Sequence, residues 1–549
     1  MTTSEYDYDV VVAGAGPVGL FLACELRLGG ARVLVLERRT EVDETVKAGS
    51  VNIATAIALY RRGLLPELAA AGEASLARLR DFRGNGRPQP KFARRFAGHF
   101  AGIMLDPDLF DGSDAAWTDA GPAAGVGLAV PQAELERILG RWAGRLGVEI
   151  RRGVELTGFD TDADGVTMHL DTDSDTDTDT DSDSDTGTDT DTNGVSMRTD
   201  SPRTGPRTLR AGRLVGCDGG RSTVRKLAGF DFPGTAPEIT GYQAVVRLSG
   251  AERLGTGWQT TDTGTYVHGP FPGRVLTVEF DGPPADRSAP VTAGELEASL
   301  RRVSGVPEVS VTEVLTATRF TDNARQATDY RKGRVLLAGD AAHVHAPFGG
   351  QGLNLGIGDA LNLGWKLAAV ARGRAPESLL DTYTAERHPV GARVLDWTRA
   401  QVALMRPDRH ARALRRVVTD LALTSAGATY LATRISGVRQ RYDLPGDHPL
   451  TGVCAPDLRL ADGTRLGERL RTGRALLLDP ADDAGLRTRA GGYGDRLDVV
   501  TAACPDRPGL RGLFVRPDGF VAWASDTAGG AGLPEVLERW LGTPRAAAA

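Results

Sequence analysis

The chain has 549 residues, more than one compact core ordinarily takes in, so two or three domains are expected. Its formal charge of −6 is a local matter: ten aspartates lie between Asp171 and Asp191, and without them the balance would be +4. No basic stripe is interleaved with aromatics, so nucleic acid has no support as a partner, and the four cysteines form no CxxC pair, which argues against a zinc site or a disulfide framework.

The chain opens MTTSEYDYD, acidic and without the basic and apolar regions of a signal peptide. No apolar run reaches the roughly 18 residues of a membrane span. A cytoplasmic protein with no membrane partner is expected. Residues 8–13, YDVVVA, read as a strand. The turn Gly14-Ala15-Gly16-Pro17-Val18-Gly19 follows, then LFLACELRLGG at helical spacing, then the apolar strand ARVLVLERR, which reaches Glu37. Strand, glycine turn, helix, strand is a βαβ unit with parallel strands. Residues 51–62 read as a helix ending at Gly63. Residues 81–125 have no clean period and read as loops and strands projecting toward a ligand.

A helix with proline at its start covers 131–147, and VEIRRGVELTGFDTDADG and VTMHL read as strands. The Asp/Thr/Ser repeat, running to about residue 207, has too few apolar groups to offset its ordering entropy and reads as a disordered loop within a hairpin. Its spacing matches no EF-hand, so a solvated insertion is favoured over a calcium site. Residues 236–320 alternate apolar and polar positions between turns, the pattern of an antiparallel sheet. RVLLAG, 334–339, is a buried strand before Asp340, and a helix runs from Gly356 through DALNLGWKLAAVARG. Residues 378–440 look mostly helical. From about 447 short strands and helices mix, ending in LFVRPDGFVAWAS, a hairpin about a Pro-Asp-Gly turn.

Three motifs carry chemistry. In Gly14-x-Gly16-x-x-Gly19 the glycines allow a tight turn and close approach of a pyrophosphate to a helix N-terminus, and Glu37 is placed for an adenosine ribose. The motif alone does not separate FAD from NAD. The second is Cys217-Asp218-Gly219-Gly220-Arg221-Ser222-Thr223-Val224-Arg225. The third runs from Gly339-Asp340 through His343, His345, Pro347, Gly350 and Gly352-Leu353-Asn354. It puts a carboxylate at a strand end, where a ribityl hydroxyl can bind, and then opens a helix whose amides can face an anion.

Together and in this order the motifs resemble the class A flavoprotein aromatic hydroxylases, the p-hydroxybenzoate hydroxylase family, in the branch that oxidises aromatic polyketides and rifamycin-type antibiotics. The resemblance covers nearly the whole chain outside the acidic repeat. It implies an α/β fold: a Rossmann-like FAD-binding domain (1–80, 126–235 and 321–400, with 171–207 as the disordered loop) and an interleaved mixed or antiparallel substrate sheet (81–125 and 236–320). A helical linker (401–446) and a C-terminal thioredoxin-like domain (447–549) complete it. Within it, Gly14, Ala15, Gly16, Pro17, Gly19, Glu37 and Arg38 would hold the ADP half of FAD. Gln132, after the strand-like LAVP, would contact FAD, and Asp218 would serve both FAD and NADPH. Gly339 and Asp340 would take the ribityl chain, and Pro347, Gly350, Gly352, Leu353 and Asn354 the flavin edge. Lys47 stands where the family usually has an arginine, and lysine lacks the planar fork; with Pro347 it is the expected catalytic contact. The thioredoxin-like domain lacks a redox CxxC and should be structural or help dimerise.

The implied activity is that of a single-component monooxygenase using FAD, NAD(P)H and O2, with a flavin C4a-hydroperoxide hydroxylating a bulky phenolic or quinoid small molecule. Baeyer–Villiger oxygenation is the alternative on the same scaffold, and a non-oxygenating flavin-binding protein is the alternative from another class. A halogenase is disfavoured because none of the seven tryptophans forms a WxWxIP motif. An NAD-dependent dehydrogenase would leave the second and third motifs unused. No metal is expected, and a monomer or homodimer fits equally. His343 is expected to be structural, Trp365 to be core, and the segment of His99, Phe100 and Met104 either to line a pocket or to pack.

Overall fold

The computed structural model describes residues 6–83, 98–125, 129–172, 207–269, 271–286 and 289–545. Most of the acidic repeat expected as a disordered loop lies outside the described residues. The strand Tyr8–Ala13 pairs in parallel with Val33–Glu37 on one side and with Arg207–Gly216 on the other, so that Ala13 stands opposite both Leu36 and Gly216. Glu149–Arg152 extends this sheet beyond Val33–Glu37, and Val335–Leu337 lies beside the end of Arg207–Gly216, both in parallel. Val10, Val11, Val12, Leu34 and Val35 are fully buried, as continuous apolar runs in a sheet covered on both faces must be. The hairpin Val154–Thr161 and Val166–Thr172 joins the first half of Arg207–Gly216 antiparallel.

The helix Pro17–Leu28 packs between Gln132–Arg145 and Gln351–Ala371. The approach to the latter is close: a Cβ on Gly29 would lie 2.3 Å from the Ala368 methyl. Gln351–Ala371 begins five residues before the expected Gly356. Gly356, within the helix, serves close approach, since a Cβ on it would stand 2.6 Å from Val18. The helix read over 51–62 is Ile53–Tyr60, capped by the Asn52 side chain, and a further helix, Leu65–Arg83, follows unpredicted. Ala129 and Val130 of the strand-like LAVP are not in a strand.

The second sheet is antiparallel, in the order Gly257–Thr260, Gly264–His268, Arg274–Glu279, Thr240–Ser249, Ser310–Phe320. Alternation divides its faces. Tyr242, Ala244 and Val275 pack on the helix Ala293–Ser304. Trp258, Val267, Leu276, Val278 and Phe320 pack toward Phe348 and the hairpin of His99–Phe100 with Ile103–Met104. The C-terminal sheet has the order Leu497–Thr501, Ala475–Asp479, Gly512–Val515, Val521–Ser525, parallel in the first pair and antiparallel in the rest, which is the thioredoxin-like arrangement. Cys454 and Cys504 are free thiols there.

Buried ion pairs fasten this last sheet to the first. The Glu386 carboxylate accepts from Arg516 at 2.8 and 2.7 Å and lies 3.0 Å from the Lys366 ammonium. Arg62 donates to Glu25 at 2.6 and 2.8 Å and to the carbonyls of Leu470 and Pro517. Charges this deep persist because each is paired and hydrogen-bonded. Trp365, expected in the core, is buried at this junction against Trp540.

Candidate active site

The three motifs meet because their strands are neighbours. Ala13, Gly216 and Leu337 end three adjacent parallel strands, and the Cys217 amide donates to the Ala13 carbonyl at 2.8 Å. Each loop therefore leaves the sheet at its C-terminal edge, where open α/β sheets bind ligands. Gly14 has φ of 106°, and a Cβ on it would lie 2.5 Å from the Cys217 carbonyl oxygen. A Cβ on Gly19 would lie 2.0 Å from the Gly14 carbonyl oxygen. Gly16, the helix N-cap, has no atom within 4 Å of its Cβ position and faces open space, with Pro17 in the first turn. The Glu37 carboxylate accepts from the amides of Ala15 at 2.7 Å and Arg39 at 3.0 Å, so it braces the glycine turn from the adjoining strand end. Arg38 is exposed and faces Glu155.

Asp218 accepts from the amides of Thr223 and Val224 through one oxygen, while its other, buried oxygen has no partner among the described residues. Arg225 is buried and ties this loop to the third, donating to the carbonyls of Ala341 and Gly220 at 2.9 Å each. In the third motif Asp359 is the internal strut. Its carboxylate accepts from the Gly339 amide, His343 Nε2 and Arg387 Nε. His343 is thereby structural.

Asp340 is exposed. His345 Nδ1 donates to the Ala346 carbonyl at 2.8 Å, which leaves Nε2 as a buried acceptor with no partner among the described residues. A Cβ on Gly352 would stand 3.6 Å from that nitrogen and 3.8 Å from an Asp340 oxygen, so the two side chains flank the start of the helix. Burial lowers the His345 pKa and keeps the ring neutral. The Pro347 carbonyl accepts from Gly350, and Gly349 and Gly350, with φ of 75° and 62°, turn the chain into the helix. Asn354 accepts from the Asn52 amide and the Thr55 hydroxyl and donates to Gly350, and Leu353 is half-buried beside it. Gln132 starts its helix with its amide on the Ala48 carbonyl, 2.8 Å away. The Lys47 ammonium lies 2.6 Å from Asp43. Burial works against the Asp43 carboxylate, but Lys47, Thr45 and Arg39 hold its pKa well below the usual range.

These features form a cradle for a dinucleotide: an open N-cap at Gly16, an orphaned carboxylate oxygen at Asp218, and an orphaned acceptor at His345 beside Asp340. A model of the FAD binding domain matches residues 7–185 and 177–398, and one of the aromatic-ring hydroxylase C-terminal domain matches 448–544. The chain belongs to the FAD-binding aromatic-ring hydroxylases. It is 41% identical over 560 residues to the 12-dehydrotetracycline 5-monooxygenase/anhydrotetracycline 6-monooxygenase of Streptomyces rimosus, covering 98% of this chain and 99% of that one. The solved structure of the OxyS anhydrotetracycline hydroxylase from Streptomyces rimosus superposes with a TM-score of 0.81 at 38% identity, over 98% of this chain and 99% of that one. The dialkyldecalin synthase of Streptomyces rugosporus is 36% identical over 547 residues, 97% of this chain and 98% of that protein. This hydroxylase is accordingly an FAD-dependent aromatic monooxygenase.

The hydroxylase also has an aromatic wall that the motifs did not reveal. Trp258 lies 4.3 Å from the His99 ring and 6.3 Å from Phe348, and Phe320 lies 6.0 Å from Phe348. Phe348 follows Pro347, so this wall abuts the third motif. Gln401 joins the parts, accepting from the Ala101 amide and donating to the Phe348 carbonyl. Of the segment expected to line or pack, Phe100 is buried against Trp397, Met104 is exposed, and His99 meets the wall. The signal available was alternation: Trp258, Val267 and Leu276 share one face of the sheet. A cleft of about 420 Å³ on the helix side, lined by Tyr242, Glu279, Glu295, Arg302 and Arg319, has its charges paired with one another and lies away from the motifs. Among the described residues no cluster could hold a metal ion, and no helix is long and apolar enough to cross a membrane.

Proposed function

We propose that the chain uses NADPH and O2 to hydroxylate a bulky phenolic or quinoid natural product of the aromatic polyketide class. The observation that carries the reading is the aromatic wall of Trp258, His99 and Phe320, backed by the buried Phe348 and set beside the third-motif loop, on which a flat polycyclic ring could stack. The tetracycline-type substrates named for the Streptomyces rimosus relatives favour the same class.

FAD, when bound, supplies the oxygen activation. The protein's part is to bind, orient and keep dry. Gly14, Ala15, Gly16, Pro17, Gly19, Glu37 and Arg38 would hold the ADP half, with Gln132 beside them. Asp218, Gly339 and Asp340 would take the ribityl and pyrophosphate region, with His345 Nε2 accepting from a hydroxyl. Pro347, Gly350, Gly352, Leu353 and Asn354 would border the flavin ring. Gln401 fixes the Phe348 carbonyl and thus the distance between this loop and the stacked substrate.

The test is NADPH oxidation by purified holoprotein with a panel of polyketide phenols and quinones, with products weighed and their structures read by NMR. Substrate-triggered turnover with one added ring hydroxyl supports the reading. Insertion of oxygen next to a carbonyl carbon would replace hydroxylation by Baeyer–Villiger chemistry. A yellow protein whose NADPH consumption no substrate accelerates would favour a non-oxygenating flavoprotein.

A further inference from the structure

The inward face of the substrate sheet carries one residue that packing does not explain. Arg274 has the same parity as Leu276 and Val278, so it points to the aromatic wall rather than to the covering helix. It is half-buried, and it makes no hydrogen bond or ion pair among the described residues. The other deep arginines meet acceptors: Arg62 on Glu25, Arg387 on Asp359, Arg516 on Glu386 and Asp518, Arg225 on two carbonyls, while Arg61 and Arg213 leave only a buried Nε without one among the described residues. Enclosure without an acceptor disfavours the charged guanidinium and depresses its pKa. Such a group persists where a ligand completes it.

Its surroundings say which ligand. One Arg274 terminal nitrogen lies 3.2 Å from the Cβ position of Gly49, and Ser50 stands 3.8 Å from that of Gly350, so the guanidinium sits where the segment after Lys47 meets the flavin loop. Lys47 itself is neutralised by Asp43. His99 is near enough to feel the Arg274 charge, and its Nδ1 accepts from the Gly102 amide at 3.1 Å. That bond assigns the proton to Nε2, which becomes a donor. Burial, then Arg274 and Arg415, pull the His99 pKa down to about 4, so the ring stays neutral. Arg415 is already engaged with the Ala101 carbonyl, 2.5 Å away. No carboxylate is among the groups that act on His99 or Arg274. The field is positive, with a fork of donors and one further N–H beside a stacking surface.

We propose that Arg274 and His99 form an oxyanion subsite that binds the substrate as its phenolate or enolate, the guanidinium fork taking the paired oxygens of a hydroxyquinone or enolised diketone. The proposal rests on the substrate-site reading above and narrows its substrate class to molecules that ionise on binding. A planar fork suits two adjacent oxygens better than an ammonium does. An ionised oxygen also raises electron density on the ring that is to be hydroxylated.

Alizarin, a dihydroxyanthraquinone that turns from yellow to red on ionisation, tests this without turnover. Holoprotein is titrated with alizarin at a pH where the free dye is neutral, and difference spectra report both affinity and ionisation. Wild type is expected to bind the red anion. R274Q, checked for FAD content and folding, should weaken binding roughly tenfold or more and leave the bound dye yellow. R274K should keep the red form with reduced affinity. If wild type does not bind alizarin, or if wild type and R274Q bind it with equal affinity and colour, the proposal is overturned. If bound alizarin is ionised by Arg274 but no substrate triggers NADPH-driven oxygenation, the subsite is supported and the oxygenase reading fails.

Discussion

Replacing Asp359 by Asn tests whether the buried strut holds the FAD loop. Asp359 is fully buried, with one oxygen 2.7 Å from Arg387 Nε and the other 2.7 Å from His343 Nε2 and 3.1 Å from the Gly339 amide. Burial alone would raise its pKa, but Arg387 and His343 hold it below the usual carboxylate range, so the group is an anion. An amide retains one acceptor and turns an NH2 toward the donors on the other side. With that oxygen on Arg387 the buried guanidinium keeps its hydrogen bond but loses its countercharge, while His343 and the Gly339 amide face the NH2. Removing one partner of such a pair costs about 3–5 kcal/mol, which for a domain of ordinary size lowers the melting midpoint by roughly 6 °C or more. Because the Gly339 amide loses its anchor next to Asp340, FAD retention should fall too. Thermal melting of apoprotein and holoprotein, with flavin content read by absorbance, measures both. A D359N protein with wild-type melting and full flavin content would refute the strut.

Three further outcomes follow from the geometry. G19A places a methyl 2.0 Å from the Gly14 carbonyl oxygen and should yield a folded protein depleted of FAD, with about 1–3 kcal/mol of strain; normal flavin content would count against it. W258A removes the stacking partner of His99 and should raise KM for an aromatic substrate on the order of tenfold with flavin content unchanged, whereas an unaltered KM would remove the wall from the substrate site. Burial opposes ionisation of Glu386, but Arg516 and Lys366 hold its pKa down to about 2, against an ordinary 4.5. Its folded pKa is depressed, so its contribution is complete above about 4.5 and is lost as pH falls toward about 2. E386Q should therefore melt lower at neutral pH and show a shallower acid dependence in that window than wild type; parallel profiles would show that the junction does not depend on this charge.

Much of the candidate site's assembly was legible because its motifs are local in sequence. Gly14, Gly16 and Gly19, Asp218, and Gly339 through Asn354 each sit in a short run after an apolar strand, and parallel pairing of those strands brings the runs together. The start of the helix at Gln351 was only approximately legible, since the turn into it is made by Gly349 and Gly350 in the left-handed region. Nor was the aromatic wall, because His99, Trp258, Phe320 and Phe348 come from four separate segments. Their meeting depends on how the second sheet docks on the first. Arg274 was half legible: period-two alternation puts it on a face with Leu276 and Val278, but only the tertiary fold shows that no partner among the described residues meets it. Lys47 drew attention as a departure from a family pattern, and its pairing with Asp43 four residues away is visible only in the structure.

The central claim is that this chain inserts one atom of O2 into an aromatic substrate, and isotope labelling tests it most directly. Purified holoprotein would be supplied with NADPH, an aromatic polyketide phenol that accelerates NADPH oxidation, and oxygen-18 gas. The account predicts a yellow protein and a ring-hydroxylated product carrying one oxygen-18 atom. A colourless protein that takes up no FAD, or a product in which the new oxygen comes from water, would contradict it.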